Sequence, residues 1–270
     1  MSIIGKFLNL SRAARIRYAM LFIGTLLFLP PLSLLPQFFG ETKFCGAWCM
    51  RMFLTLNPTP RVIFATFMGV GLSALVFGIT FFFGRLWCGR LCPIGGASEI
   101  ASHAVPDKIK LDYSGISAPA LRYGYFLAFL IAPLAGIGTL CCKLCNFSVV
   151  PQLFTAPFDA GSMAFFFTTT GLLSASLFIL LGVWSRGGRG YCNFMCPVGA
   201  VDSVVNALGG KLGFRRVRIE NVNCSGCGKC SSACPVWAIS RDNGKMGISQ
   251  FSCISCGKCK DACPEGAIRR

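Results

Sequence analysis

Uninterrupted apolar runs dominate the first two thirds of the sequence. Four windows lack Asp, Glu, Lys and Arg and approach the roughly 20 apolar residues needed to cross the hydrocarbon core of a bilayer: 18–39, 62–84, 123–140 and 162–184. None shows the polar stripe of a helix at the surface of a soluble protein. The pattern predicts four membrane-spanning helices, the first of them kinked at Pro30 and Pro31.

Lysine and arginine are unevenly distributed around these windows. They are concentrated in the amino-terminal arm, the loop 85–122 and the tail after residue 185, whereas the remaining segments hold Lys43, Arg51, Arg61 and Lys143. Because positive loops stay on the cytoplasmic side, we expect a multi-pass protein of the bacterial inner membrane, in contact with lipid, with both termini cytoplasmic. The net charge of +16 then reflects topology, and no basic helix or aromatic platform favours nucleic-acid binding.

The two halves of this apolar region repeat one order of features. A helix, FCGAWC, a second helix and CGRLCP are followed by a helix, CCKLC, a fourth helix and CNFMCP. This repeat predicts two pseudo-symmetric hairpins packed as an α-helical four-helix bundle over residues 1–209. Residues 210–222 would be a linker, and residues 223–270 a small soluble domain.

The tail contains two runs of the form C-x2-C-x2-C-x3-C-P. Three thiolates in a tight loop bind three irons of a [4Fe–4S] cube, while the fourth crosses to the other cluster. Cluster 1 is therefore assigned to Cys224, Cys227, Cys230 and Cys263, and cluster 2 to Cys253, Cys256, Cys259 and Cys234. Zinc is the competing metal for C-x2-C pairs, but two complete runs with both prolines favour the clusters.

This tail resembles the two-cluster bacterial ferredoxin domain, an α+β fold. With the four apolar windows and the two C-x3-C-P motifs, nearly the whole chain resembles the NapH-type membrane polyferredoxins. It is also similar to iron–sulfur proteins of methylamine-utilisation and nitrous-oxide reductase systems. The resemblance implies a quinol dehydrogenase subunit that relays electrons between quinol and a redox partner such as a ferredoxin, flavodoxin, cytochrome or reductase subunit. The alternative is an electron-donating factor for cofactor assembly or metalloenzyme maturation.

Two further cysteine sets follow from the repeat. The inner set would meet at the cytoplasmic end of the bundle, where it would bind a further cluster or metal or pack as free thiols. It comprises Cys88, Cys92, Cys192 and Cys196. The outer set would form disulfides or bind another cluster. It comprises Cys45, Cys49, Cys141 and Cys145, with Cys142 as the unpaired extra.

Missing motifs restrict the chemistry to iron–sulfur clusters. His103 is the sole histidine, which excludes bis-histidine haem and histidine-rich zinc sites, and no G-x-G-x-x-G or P-loop is present. Quinol oxidation also releases protons, for which Glu99, His103 and Asp202 are the candidate acceptors, unless they are solvated helix caps. Three lysines beside the clusters would attract an acidic partner, or would only solubilise the domain: Lys229, Lys258 and Lys260.

Overall fold

The computed structural model describes residues 11–26, 60–134, 144–242 and 244–270, and side chains in its second helix from Val70 onward. The helices of the amino-terminal part are α1 (Arg12–Leu26), α2 (Pro60–Phe83), α3 (Pro93–Ala104), α4 (Ala118–Leu134), α5 (Asn146–Thr155), α6 (Ala160–Phe165), α7 (Thr169–Leu177), α8 (Gly190–Phe194) and α9 (Pro197–Lys211). Shorter turns are the π-helical Trp87–Leu91 and Phe178–Val183 and the 3-10 turn Asp107–Ile109.

Each C-x3-C-P motif leads into a helix. Cys92 and Cys196 are the N-caps of α3 and α9, and the prolines that follow occupy the first helical turn. A proline fits there because the N–H that it lacks would have no partner within the helix. The first cysteine of each motif lies on the preceding turn, Cys88 in Trp87–Leu91 and Cys192 in α8. The motif therefore holds two thiols on either side of a sharp change in chain direction.

The helices of the two halves cross over one another. In the first half α1 packs on α3, and in the second half α4 packs on α9. However, α2 of the first half packs on α9 of the second, and the turn Phe178–Val183 of the second half packs on α3 of the first. The two motif helices are consequently enclosed by elements from both halves, which brings the two C-x3-C-P motifs towards one another.

The predicted four-helix integral membrane bundle is wrong. Within the described residues, none of the helices is both long and apolar enough to cross a bilayer. The window 162–184 was interpreted as one helix, but Asp159 and Thr168 accept hydrogen bonds from backbone N–H groups and start α6 and α7 as separate helices. Parts of two other predicted spans, 27–39 and 135–140, lie outside the described residues.

The carboxy-terminal part has the repeated loop, helix and strand elements of a small α+β domain. Its elements are β1 (Arg218–Ile219), a 3-10 turn (Asn221–Asn223), α10 (Lys229–Ser232), β2 (Ile239–Asp242), β3 (Lys245–Ile248), α11 (Lys258–Ala262) and β4 (Ile268–Arg269). β1 pairs with β4 and β2 with β3, both antiparallel. Gly228 and Gly257, with φ of 76° and 83°, precede α10 and α11, where a left-handed turn favours glycine. Thus β1, in the predicted linker, closes the domain against its last strand.

Candidate functional site

Four cysteines of the tail surround a cavity in the core of the carboxy-terminal domain, which we call the cluster-2 cavity. Its empty volume is about 330 Å³, and its lining includes Cys234, Cys253, Cys256 and Cys259. Burial raises the pKa of Cys253 to about 11 and that of Cys234 to about 12. Binding of iron would displace these protons, since the ligand is the thiolate.

The other four tail cysteines surround the cluster-1 cavity, whose empty volume is about 320 Å³. Its lining includes Cys224, Cys227, Cys230 and Cys263. Cys227 is exposed, whereas Cys230 is buried. The cluster-1 cavity is therefore the one with a thiol at the protein surface.

The donor chemistry of both cavities fits a [4Fe–4S] cube. Each cavity has four thiols, three from one loop and one from the opposite repeat, which is the ligand arrangement of two-cluster ferredoxins. Among the described residues, no group of three or more His, Cys, Asp or Glu side chains could hold a single metal ion. A bound cube would supply one-electron redox chemistry.

The two C-x3-C-P motifs form a third group of thiols, the four-cysteine site (Cys88, Cys92, Cys192, Cys196), and none of these four is in a disulfide. Burial raises the pKa of Cys92 to about 11, and the neighbouring Cys192 adds to this increase. Burial also raises the pKa of Cys196, again with Cys192 as the leading charged neighbour. Each half therefore contributes two thiols to one place.

The four-cysteine site packs directly against the cluster-2 loop. Cys88 packs against the hydrophobic core of the carboxy-terminal domain. A Cβ on Gly89 would lie 2.1 Å from the carbonyl oxygen of Ile254, so this contact needs glycine. From the second half, Asn193 Nδ2 donates to the carbonyl oxygen of Val236 at 3.0 Å. Gly89 follows Cys88 and Asn193 follows Cys192. Each of them thus contacts a segment next to a cysteine of cluster 2.

Two buried ion pairs link the halves in a reciprocal way. Arg85 of the first half contacts Asp202 of the second at 2.8 Å, and Arg189 of the second half contacts Glu99 of the first at 2.8 Å. All four side chains are at most 1% exposed. Each arginine precedes the first cysteine of its own motif by three residues. Each half therefore neutralises the acid of the other beside the four thiols.

A second pair of arginines repeats at the start of each half, in the sequences RY of α1 and α4. Arg17 Nε donates to the carbonyl oxygen of Gly89 at 2.9 Å, and Arg122 Nε donates to that of Asn193 at 2.7 Å. The sequence interpretation missed all four arginines. They could have been found from the sequence, because RY and R-x2-C-x3-C-P each occur once in both halves. The sequence interpretation used only the cysteines of these repeats.

Comparison with known proteins agrees with this geometry. Models described as "4Fe-4S dicluster domain" match residues 188–238 and 223–268, and a model described as "4Fe-4S binding domain" matches residues 64–112. The chain is 33% identical over 169 residues to the methylamine utilization ferredoxin-type protein MauN of Methylobacillus flagellatus, covering 60% of this chain and 53% of that protein. No solved structure matches significantly.

Two further relatives come from Escherichia coli. The ferredoxin-type protein NapH is 27% identical over 152 residues, covering 56% of this chain and 47% of that protein. The putative electron transport protein YccM is 25% identical over 163 residues, covering 56% of this chain and 41% of that protein. The chain is related to the ferredoxin-type proteins MauN and NapH. It spans about half the length of the curated relatives that it matches.

The matched segments are described as iron–sulfur domains, and they contain the cysteines that the structure brings together. The matched segments include both motifs of the four-cysteine site, one in residues 64–112 and the other in residues 188–238. The tail runs fall within residues 223–268. All three cysteine groups that the structure assembles thus lie in segments that resemble iron–sulfur domains.

Glu99 is a buried carboxylate surrounded by three cationic side chains rather than an accessible base. Its carboxylate contacts Arg17 at 2.6 Å, Arg189 at 2.8 Å and Lys258 at 2.8 Å. Burial alone would raise its pKa, but Lys258, Arg189 and Arg17 hold it well below the usual range. The contact also corrects the predicted steering role of Lys258, because its ammonium group is directed at Glu99. Lys229 and Lys260 are exposed.

The other two predicted proton acceptors differ in accessibility. Asp202 is buried, paired with Arg85 and 3.3 Å from the thiol of Cys88. His103 is exposed, and its Nε2 lies 2.9 Å from the hydroxyl of Tyr18. Desolvation and the charge of Lys258 lower the pKa of His103, which keeps the ring neutral near pH 7. Of the three candidates, His103 is the one exposed to solvent.

The predicted outer set is described only at Cys145, because Cys45, Cys49 and Cys141 lie outside the described residues. Tyr191, one residue before Cys192, donates to the carbonyl oxygen of Leu144 at 3.2 Å. Burial raises the pKa of Tyr191, and the charged neighbours that add to this are Cys145 and Cys196. Cys145 is therefore near the four-cysteine site, whereas the repeat had predicted the opposite face.

Proposed function

We propose that this protein relays single electrons between a donor and a partner redox protein through three iron–sulfur clusters in series. The order would be the four-cysteine site, cluster 2 and cluster 1. The observation that carries this proposal is the contact of Cys88 and Gly89 with the cluster-2 loop. The surface position of Cys227 makes cluster 1 the terminus nearest to a partner.

The four-cysteine site is proposed to hold the third cluster. Its donor set is four thiols, as in the two tail cavities. The guanidinium of Arg85 points at the thiol of Cys88 at 3.8 Å, and the thiols of Cys92 and Cys192 add to the factors that raise the pKa of Arg189. Positive charge beside a thiol favours its thiolate, so Arg85 and Arg189 offset part of the increase in pKa that burial causes at Cys88 and Cys92.

The partner is proposed to be an acidic redox protein. Lys229 follows Cys227 at the exposed cluster-1 loop, and Lys260 is exposed in α11. Positive charge around a redox terminus raises the rate of encounter with an acidic surface. An electron would then leave from cluster 1, where the thiol of Cys227 is exposed.

Quinol is proposed as the donor at the other end, with His103 as proton acceptor. The expected result is that a reduced quinol analogue bleaches the cluster absorbance anaerobically, and that H103Q slows this about a hundredfold, the lower end of the contribution of a positioned acid–base group. Reduction by dithionite is the control, because it needs no proton acceptor, and its rate should be the same in both proteins. Equal quinol rates would contradict the role of His103, and no bleaching at all would contradict quinol as donor.

A quinol donor also suggests association with the bacterial inner membrane, which stays a proposal. Co-sedimentation of the intact chain with membrane fractions would support it. Recovery of the chain entirely in the supernatant would count against both the location and the donor.

The close contact between Gly89 of the four-cysteine site and Ile254 of the cluster-2 loop gives a further prediction. We expect G89A to destabilise the protein by about 1–3 kcal/mol, because overpacking forces backbone shifts, and the atom in its way is the carbonyl oxygen of Ile254. Chemical denaturation followed by circular dichroism measures the free energy of unfolding. G124A is the matched control, since a Cβ at Gly124 meets nothing within 4 Å. Equal stability of the two variants would contradict the close contact between Gly89 and Ile254.

A further inference from the structure

Glu99 joins parts of the chain that are far apart in sequence. It lies in α3, is 1% exposed and contacts one cation from α1, one from the turn before α8 and one from α11. The hydroxyl of Tyr18 adds a hydrogen bond to its Oε1 at 3.3 Å. A buried carboxylate with three cationic partners is an organised electrostatic centre, because charge interactions are weakly screened in the interior.

Two of the three cations each lie at one redox position, and the third lies between the two positions. Lys258 lies between Cys256 and Cys259 of the cluster-2 run. Arg189 donates to the carbonyl oxygen of Cys88 at 2.8 Å, in the four-cysteine site. Arg17 donates to the carbonyl oxygen of Gly89, which separates the two positions. One carboxylate therefore balances positive charge at both.

The matching acid of the second half, Asp202, forms no described ion pair with the cluster-2 loop. Asp202 contacts Arg85 and Cys88, both of which belong to the four-cysteine site. The described ion pairs of the cluster-2 loop include Lys258 with Glu99 and none with Asp202. The pseudo-symmetry is broken at the point where the helical part meets cluster 2, so Glu99 and Asp202 form a natural matched pair.

We propose that Glu99, through Lys258, sets the reduction potential of cluster 2 and links it electrostatically to the four-cysteine site. This inference rests on the proposed function, since it needs a cluster at each position. Reduction adds one electron to a cluster, with no bond formed or broken, and makes it more negative. Glu99 opposes that change and offsets the positive charge of Lys258, which favours it. Glu99 is thus a positioning and charge-balancing residue that touches neither cluster.

The test is a dithionite titration of the whole protein, followed by EPR of each reduced cluster. In E99Q we expect reduction of cluster 2 to be favoured about tenfold relative to cluster 1, which is about 59 mV for a one-electron couple. K258M should shift cluster 2 in the opposite direction, and K258R should restore it. D202N should shift cluster 2 less than E99Q does, because Asp202 is paired with Arg85 rather than with Lys258, and cluster 1 serves as the internal reference.

The outcomes separate this inference from the proposed function. Iron and sulfide content identical to that of the original protein shows that the clusters are in place in each variant before titration. A loaded E99Q protein whose cluster-2 potential does not move, or moves as much as that of cluster 1, would overturn the role of Glu99. If E99Q fails to fold, an unchanged cluster-2 potential in K258M would overturn it instead. Absence of the third cluster would contradict the proposed relay. It would be detected as a lower iron content, without any need for the titration.

Discussion

Replacing Cys88 and Cys192 with alanine is expected to lower the iron content from about twelve to about eight atoms per chain, because each cube holds four. The two thiols come from different halves, so their loss leaves one ligand in each motif. Acid-labile sulfide should fall in the same proportion. The EPR signals of the two tail clusters should persist, since their cysteines line separate cavities.

Two control variants test whether the loss of iron is specific to the four-cysteine site. Cys145→Ala removes a thiol near Cys196 that is outside the proposed ligand set, and it should retain about twelve irons, four for each of three cubes. Cys256→Ala removes a ligand of cluster 2 and should cost one tail signal. An unchanged iron content in the double variant would mean that the four-cysteine site binds no cluster. Loss of a cluster in Cys145→Ala would replace the proposed ligand set.

The tail was the part of the molecule most open to prediction from sequence. The spacing of its cysteines requires tight loops, and local geometry of that kind depends little on the rest of the chain. The structure places the predicted sets, such as Cys253 with Cys234, around common cavities. Iron ligation by these residues stays a prediction, although comparison confirms the resemblance to NapH-type proteins.

The repeat of two C-x3-C-P motifs predicted that four thiols meet, but not what surrounds them. The pairing of Arg85 with Asp202 and of Arg189 with Glu99 depends on which half covers which. That crossover is a tertiary property, and cysteine spacing contains no information about it. The membrane bundle was wrong for a related reason, because apolar length was counted across Thr168, where a side-chain cap begins a new helix.

Replacing Arg85 with methionine is expected to lower the free energy of unfolding by about 3–5 kcal/mol, the usual cost of removing one partner from a buried ion pair. Asp202 is fully buried, and its Oδ1 has no hydrogen-bond partner among the described residues. Without Arg85, its Oδ2 retains only the thiol of Cys88. Anaerobic thermal unfolding followed by circular dichroism should show a midpoint lower by roughly 6–20 °C, at about 2–4 °C per kcal/mol for a chain of this size.

The proper comparison is an ion pair of equal length in a different environment. Arg186 contacts Asp112 at 2.8 Å, but both side chains are exposed, at 50% and 39%, and exposed pairs contribute about 0–1 kcal/mol. R186M should therefore change the midpoint little. In R85M/D202N the uncompensated charge is gone, so stability should recover in part relative to R85M. If R85M and R186M behaved alike, the reciprocal pairs would not hold the halves together, and the meeting of the four thiols would need another cause.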